Sequence, residues 1–172
     1  VDAIAADMAG TLGGKPVDRV PLAFWLHNFA TENTAEGLAV ETLRLAQTFD
    51  WDYLKPQSRA QCFAEMWGLR YQPSGEQAAQ WTVTHSPIAD ADGLRHLAPA
   101  DPRTGALGEQ VEALRTIRRA LGPDTPIIWT IFSPLMILPM LLRGGRDQAF
   151  ALLRSDSAAV EHAFGAMTET LS

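Results

Sequence analysis

The sequence predicts an α/β fold in which parallel strands alternate with amphipathic helices. Two apolar runs and one periodic helix carry that prediction. Leu22 to Leu26 is apolar at every residue, and Ile127–Phe132 carries one polar residue, Thr130. A half-exposed strand alternates, so runs of this kind suit strands covered on both faces, as in a parallel sheet under helices. Gly105–Leu121 instead places Leu107, Val111, Leu114, Ile117 and Leu121 at helical steps, the pattern of a helix with one buried face. The predicted order is helix, strand, helix, strand, excursion, helix, strand, helix, helix, which indicates parallel βαβ units.

In chain order, Asp2 to Leu12 forms a short helix that Gly13-Gly14 ends. Lys15–Asn28, KPVDRVPLAFWLHN, is the stretch around which the rest is organised. Its turn residues lead through Pro21 into the first strand, which stops at His27-Asn28. After the polar turn Thr31 to Thr34, Thr34 caps the helix Ala35–Thr48, although Gly37 cannot complete a capping box. Leu38, Thr42, Leu45 and Phe49 mark the buried face of that helix. Tyr53–Lys55 centres a short second strand that Pro56 stops. The segment Tyr71 to Leu97 is an excursion with a small hairpin or extended piece around Trp81–Pro87, then a short Asp-capped helix Gly93–Leu97. After Ser133-Pro134, Leu135 to Leu142 is helical despite Pro139. Asp147–Arg154 and Asp156–Leu171 are two further helices.

Composition narrows the function. The 172 residues are 47% hydrophobic and 20% charged, a globular mixture. A net charge of −6 argues against nucleic acid as a main partner, since phosphate binding needs a basic face. A single cysteine, Cys62, excludes an intrachain disulfide and suits a reducing, cytoplasmic setting. It reads as a buried packing thiol before it reads as a nucleophile. The start, VDAIAADMAG, has no secretory pattern and no initiating Met, so the first residue here is not expected to be the first translated. The run Ile127–Leu142 carries Ser133, Pro134 and Pro139 and falls short of the ~20 residues a bilayer helix needs. It reads as core, and no membrane partner is expected.

Strands that all run one way present their ends on one side. His27 and Asn28 follow the first strand. Lys55, Gln57 and Arg59 end or follow the second, and Ser133 follows the third. Each taken alone reads as a solvated loop charge or a core histidine. Their convergence is the candidate site for a small-molecule substrate: His27 and Lys55 as catalytic residues, Asn28, Gln57, Arg59 and Ser133 as substrate-binding ones. No metal site is expected. The histidines at 27, 85, 96 and 162 make no HxxxH pair, and Cys62 has no CxxC partner. Ser133 lies in IFSPL, without the glycine elbow of a serine hydrolase.

Three blocks in this order resemble the uroporphyrinogen decarboxylase (URO-D) superfamily, which also contains corrinoid- and cobalamin-linked methyltransferases. They are GKPVDRVP before the first strand, FDWDYLKP with EMWG after it, and Ile128–Gly145 with its Ser-Pro and Gly-Gly. They span about residues 2–155, most of the chain. The resemblance implies a (β/α)8 barrel with its site at the carboxyl ends of the strands, of which this chain would supply the amino-terminal part. In authentic uroporphyrinogen decarboxylases, arginines after strand one hold substrate propionates, an aspartate after strand two binds pyrrole N–H groups, and a tyrosine in the helix after strand three lines the cleft. These fall here at His27 and Thr31, at Gln57 and at Met140, and none matches.

The resemblance therefore implies a carboxy-lyase for a tetrapyrrole-type or other anionic substrate, without the usual binding residues and without a cofactor. A methyltransferase relative is the first alternative. It alone would call for zinc and a corrinoid, and the family's zinc-binding His and Cys motif is not found here. A non-catalytic binding domain is the second. A full barrel usually takes ~250 residues, so the chain is expected either to be part of a longer barrel or to pair with a second copy.

Overall fold

A computed structural model describes residues 2–172, with side chains from residue 6 onward. Its helices are α1 Asp2–Leu12, α2 Ala35–Thr48, α3 Cys62–Glu65, α4 Ala91–Arg95, α5 Gly105–Leu121, α6 Pro134–Leu141, α7 Gly145–Ser155 and α8 Ser157–Leu171. Local chemistry sets their ends. The Thr34 hydroxyl accepts the Gly37 N–H at 3.0 Å to open α2. Asp90 opens α4 by accepting the N–H groups of Asp92 and Gly93, two residues ahead of the predicted start. Gly122, at φ 77°, closes α5, a left-handed turn that favours glycine. At Gly37 a methyl group would collide with the Thr31 carbonyl oxygen, so the residue that denies α2 a capping box is the one that lets the preceding turn fold over it.

The core lies among the helices that follow Pro56. Cys62 and Phe63 of α3, Leu94 of α4, Ile137, Leu138 and Leu141 of α6, and Val160, Ala163 and Met167 of α8 share one buried cluster. Helix α5 joins α2 to this body. Its buried stripe is Ala106, Leu107, Gln110, Ala113 and Ile117. The predicted stripe holds at Leu107 and Ile117, but the small Ala113 is buried in place of Val111 and Leu114, and α5 packs against α2 and α3.

The predicted parallel strands need correction. Leu22–Leu26, Tyr53–Lys55 and Ile127–Phe132 are neither helices nor ladder-forming strands. They are tied by single contacts. Asp52 N–H donates to Leu22 O at 3.0 Å, and Leu54 exchanges bonds with Pro126 O and Ile128 N–H at 2.9 and 2.8 Å. Leu54 and Ile127 form an isolated parallel bridge, and Ile88 and Leu142 form another. One reason the ladder stays rudimentary is chemical. The Asp52 carboxylate takes the Leu22 N–H at 2.7 Å and pairs with Arg19, so a side chain occupies a donor a neighbouring strand would use. Pro21, Pro56 and Pro126 remove further donors. Among the described residues the sheet is β1 Arg70–Gln72 paired antiparallel with β2 Thr82–His85, inside the predicted excursion.

Burial of the first strand is corrected as well. Leu22, Phe24, Trp25 and Leu26 are each more than half exposed, and so is Ile131 of the third segment. Phe24 and Leu26 border Leu38, Thr42 and Leu45 of α2, and Phe24 also meets Trp51, yet both stay more than half exposed.

Candidate functional site

The ends of the three extended segments border one cavity of about 290 Å³. Trp25, Phe63, Trp129 and Phe132 form its apolar walls, and His27, Lys55, Gln57, Ser58 and Thr130 its polar ones. The excursion closes the side behind His27. Phe29 stacks on the imidazole at 4.7 Å, and Trp81 stands edge-on to both rings.

A chain of hydrogen bonds runs along the wall. Lys55 Nζ donates to Gln57 Oε1 at 3.3 Å, and Gln57 Nε2 lies 3.0 Å from His27 Nε2. His27 Nδ1 lies 2.8 and 3.0 Å from the two carboxylate oxygens of Glu32. An ammonium only donates, so it fixes the Gln57 carbonyl toward Lys55 and the Gln57 amide N–H₂ toward His27. His27 Nε2 then accepts, and Nδ1 carries the proton it gives to Glu32. Glu32 is 2% exposed. The backbone N–H of Asn28 also donates to it, at 3.2 Å. A buried carboxylate held this way orients the ring and selects its tautomer.

Lys55 lies 4.2 Å from the centre of the Trp25 ring and pairs with no carboxylate among the described residues. Burial holds its ammonium below the ordinary lysine range. Ser58 Oγ accepts from Trp129 Nε1 at 2.7 Å, which leaves its own O–H free to donate into the cavity.

The structure thus brings His27, Lys55 and Gln57 together. It places Asn28 outside that cavity, in a small adjoining cleft beside α2 that Lys55 and Gln57 also line. There Glu41 sits below the ordinary carboxylate range through hydrogen bonds, first from Arg44 and more weakly from Asn28. Asn28 Oδ1 is buried without a partner among the described residues. Arg59 is placed elsewhere. It is 2% exposed, donating to Glu65 of α3 and Glu109 of α5, each at 2.8 Å. Burial works against that charge, but bonds to Glu109 and Glu65 outweigh it and raise the guanidinium further. Ser133 is exposed at the start of α6 and does not line the cavity.

Glu32 was not legible as a site residue. It lies in a turn without a period, five residues beyond its partner. Trp25 and Trp129 are cavity walls here. Cys62 is fully buried, and burial pushes its thiol up to about 12, as befits a packing residue.

Comparison with known proteins places this architecture. The uroporphyrinogen decarboxylase (URO-D) family model matches residues 6–172. The uroporphyrinogen decarboxylase of Sorangium cellulosum is 30% identical over 93 residues, 52% of this chain and 26% of that protein. The Edwardsiella ictaluri enzyme is 37% identical over 81 residues, 45% of this chain and 22% of that protein. A methyltransferase from Methanosarcina mazei superposes with a TM-score of 0.77 at 21% identity, over 97% of this chain and 52% of that one, which shows a shared fold. The matches thus span about a quarter of the curated relatives' length and about half of the solved structure. With residues 6–172 matched, the chain belongs to the uroporphyrinogen decarboxylase (URO-D) family.

Proposed function

We propose that the chain carries the substrate site of a uroporphyrinogen decarboxylase-like carboxy-lyase acting on an anionic substrate. The observation that supports this is the chain Glu32–His27–Gln57–Lys55 on a cavity wall. Lys55, a cation without a carboxylate partner among the described residues, holds a substrate carboxylate. Gln57 turns from His27 to orient the substrate, which frees His27 Nε2 to take up a proton. The bond from the substrate carbon to the departing carboxylate breaks, CO₂ leaves, and the electron pair stays on carbon. The His27 proton then forms the new C–H bond, and Glu32 faces the ring throughout. Arg59 and Ser133 take no part.

The test is release of labelled CO₂ from a panel of carboxylates that includes uroporphyrinogen. Activity that falls by at least ~100-fold in His27→Gln, with the fold intact, supports the reading. Activity indifferent to His27, or no CO₂ from any carboxylate, contradicts it.

The extended segments are, in the same proposal, amino-terminal strands of a (β/α)8 barrel whose further strands cover Leu22–Leu26 and Ile131. Support comes from the parallel bridge at Leu54 and Ile127, the exposed apolar side chains, and the fold shared with 52% of the methyltransferase structure. Light scattering of the 172-residue chain tests it. Self-association fits uncovered strands, and a stable monomer with two-state unfolding means that the fold is closed without them.

A further inference from the structure

We infer that the β1–β2 hairpin is a working part of the site, and that its Trp81 is a positioning residue holding the His27 imidazole in the orientation its hydrogen bonds need. This rests on the reading of His27 as the group that takes up and returns the proton. Two bonds fix that ring along one line, to Glu32 at Nδ1 and to Gln57 at Nε2. They leave it free to rock about the line. In the proposed reaction Gln57 also lets go of Nε2, so a single bond remains. Packing against the ring then has to hold it, because a misdirected proton donor is a slow one.

Three aromatic rings supply the packing. Phe29 lies within 12° of parallel to the imidazole, at 4.7 Å. Trp25 stands edge-on to it at 5.9 Å. Both come from the segment that carries His27. Trp81 comes from the excursion, just before β2. It stands at 72° to the imidazole and 78° to Phe29, with centres 6.2 and 4.8 Å away. It therefore closes across the side of the stacked pair, in the edge-to-face arrangement that aromatic rings favour.

The hairpin is fastened to the same turn. Gln77 O accepts the Phe29 N–H at 3.1 Å. Tyr71 of β1 packs edge-on against Trp81 at 5.9 Å, and its hydroxyl donates to Asn33 Oδ1 at 3.4 Å, next to Glu32. Strand register brings the two rings together, since Gln72 pairs with Thr82 and Tyr71 with Val83. Leu69 and Ile88, both buried, anchor the hairpin's ends in the core. All these contacts lie between residues 27 and 88, so they hold whatever further strands lie beyond the chain. A movement of the hairpin thus reaches His27 through Trp81.

Long-range ¹⁵N–¹H spectra of the 172-residue chain, at a pH where the His27 ring is neutral, test this on Trp81→Met, Trp81→Phe and Val83→Ala. A ring that leaves Glu32 exchanges its proton between the nitrogens, so their two signals approach each other. Trp81→Met is expected to show that averaging with native circular dichroism. Trp81→Phe keeps an edge against the ring and is expected to keep the nitrogens apart. Val83→Ala, an exposed position of the same hairpin, is expected to leave them as in the wild type. With a carboxylate that releases CO₂, Trp81→Met should lower kcat ~10–100-fold at a KM within ~2-fold of wild type. Trp81 is not a positioning residue if Trp81→Met keeps the nitrogens apart, if Trp81→Phe averages them as fully, or if Val83→Ala does the same. A Trp81→Met chain without native circular dichroism, or a loss that falls on KM alone, overturns the assignment too. Averaged nitrogens in Trp81→Met without CO₂ release from any carboxylate would remove the lyase reading and leave this one standing.

Discussion

Glu32 and Lys55 are the two residues on which the proposed site depends most. Glu32 fixes the proton of His27 on Nδ1, so Glu32→Gln should disturb that tautomer, because an amide can turn its N–H₂ toward the ring. Long-range ¹⁵N–¹H spectra of the His27 ring report it directly. The wild type should show a pyridine-like Nε2, and the variant a mixed or reversed pattern. The variant should also lose about 1–3 kcal/mol of stability, because the Asn28 N–H and His27 Nδ1–H compete for one carbonyl. An unchanged ring spectrum would mean that Glu32 does not set the tautomer. Lys55 gives a pH dependence. In the proposed site, anion binding requires its ammonium and is lost as pH rises through its folded pKa. Burial lowers that value below 10.5, so carboxylate affinity should fall with a midpoint below 10.5. A midpoint at or above the ordinary lysine value would show that another cation holds the anion.

At the scale of elements, the helices were legible because their signals are local. The apolar period of Gly105–Leu121, the Thr34 cap and the Gly122 stop all act within a few residues. The strands were not, because a ladder needs partners far along the chain. Leu22–Leu26 has the composition of a buried strand but, among the described residues, finds one backbone bond, from Asp52, whose carboxylate takes the Leu22 donor. The β1–β2 pair is the exception: β2 falls within the hairpin or extended piece expected around Trp81–Pro87, although its partner Arg70–Gln72 lies where no strand was read. For the same reason the polar stops His27, Lys55 and Gln57 were readable from the sequence, whereas the fate of Arg59 was not. It is settled by Glu109, fifty residues away. The Arg59 clamp between α3 and α5 is structural, and removing it leaves two carboxylates facing a buried gap. Arg59→Ala should therefore cost about 3–5 kcal/mol in denaturant unfolding. A loss under about 1 kcal/mol would show that solvent screens Glu65 and Glu109 well enough to make the clamp dispensable.

For the whole molecule, the buried Cys62 and half-buried Tyr71 predict an alkaline limit. Burial raises each to about 12, from ordinary values of 9.0 and 10.0. The unfolded chain thus loses these protons first as pH rises. Stability is fully present below about pH 9 and declines between 9 and 12. Cys62→Ala should delay the onset toward pH 10 relative to its own stability at pH 7, and an unmoved onset would exclude the thiol as its cause. The central claim is that segments distant in sequence converge to build one anion-binding cavity. Backbone and side-chain NMR shifts of the 172-residue chain during a benzoate titration test it most directly. Signals of His27, Lys55, Gln57 and the Trp129 indole should move together along one saturable curve. Shifts that spare these residues, or that gather instead at the arginine-rimmed cleft of Arg115, Arg118 and Arg119 on α5, would contradict it.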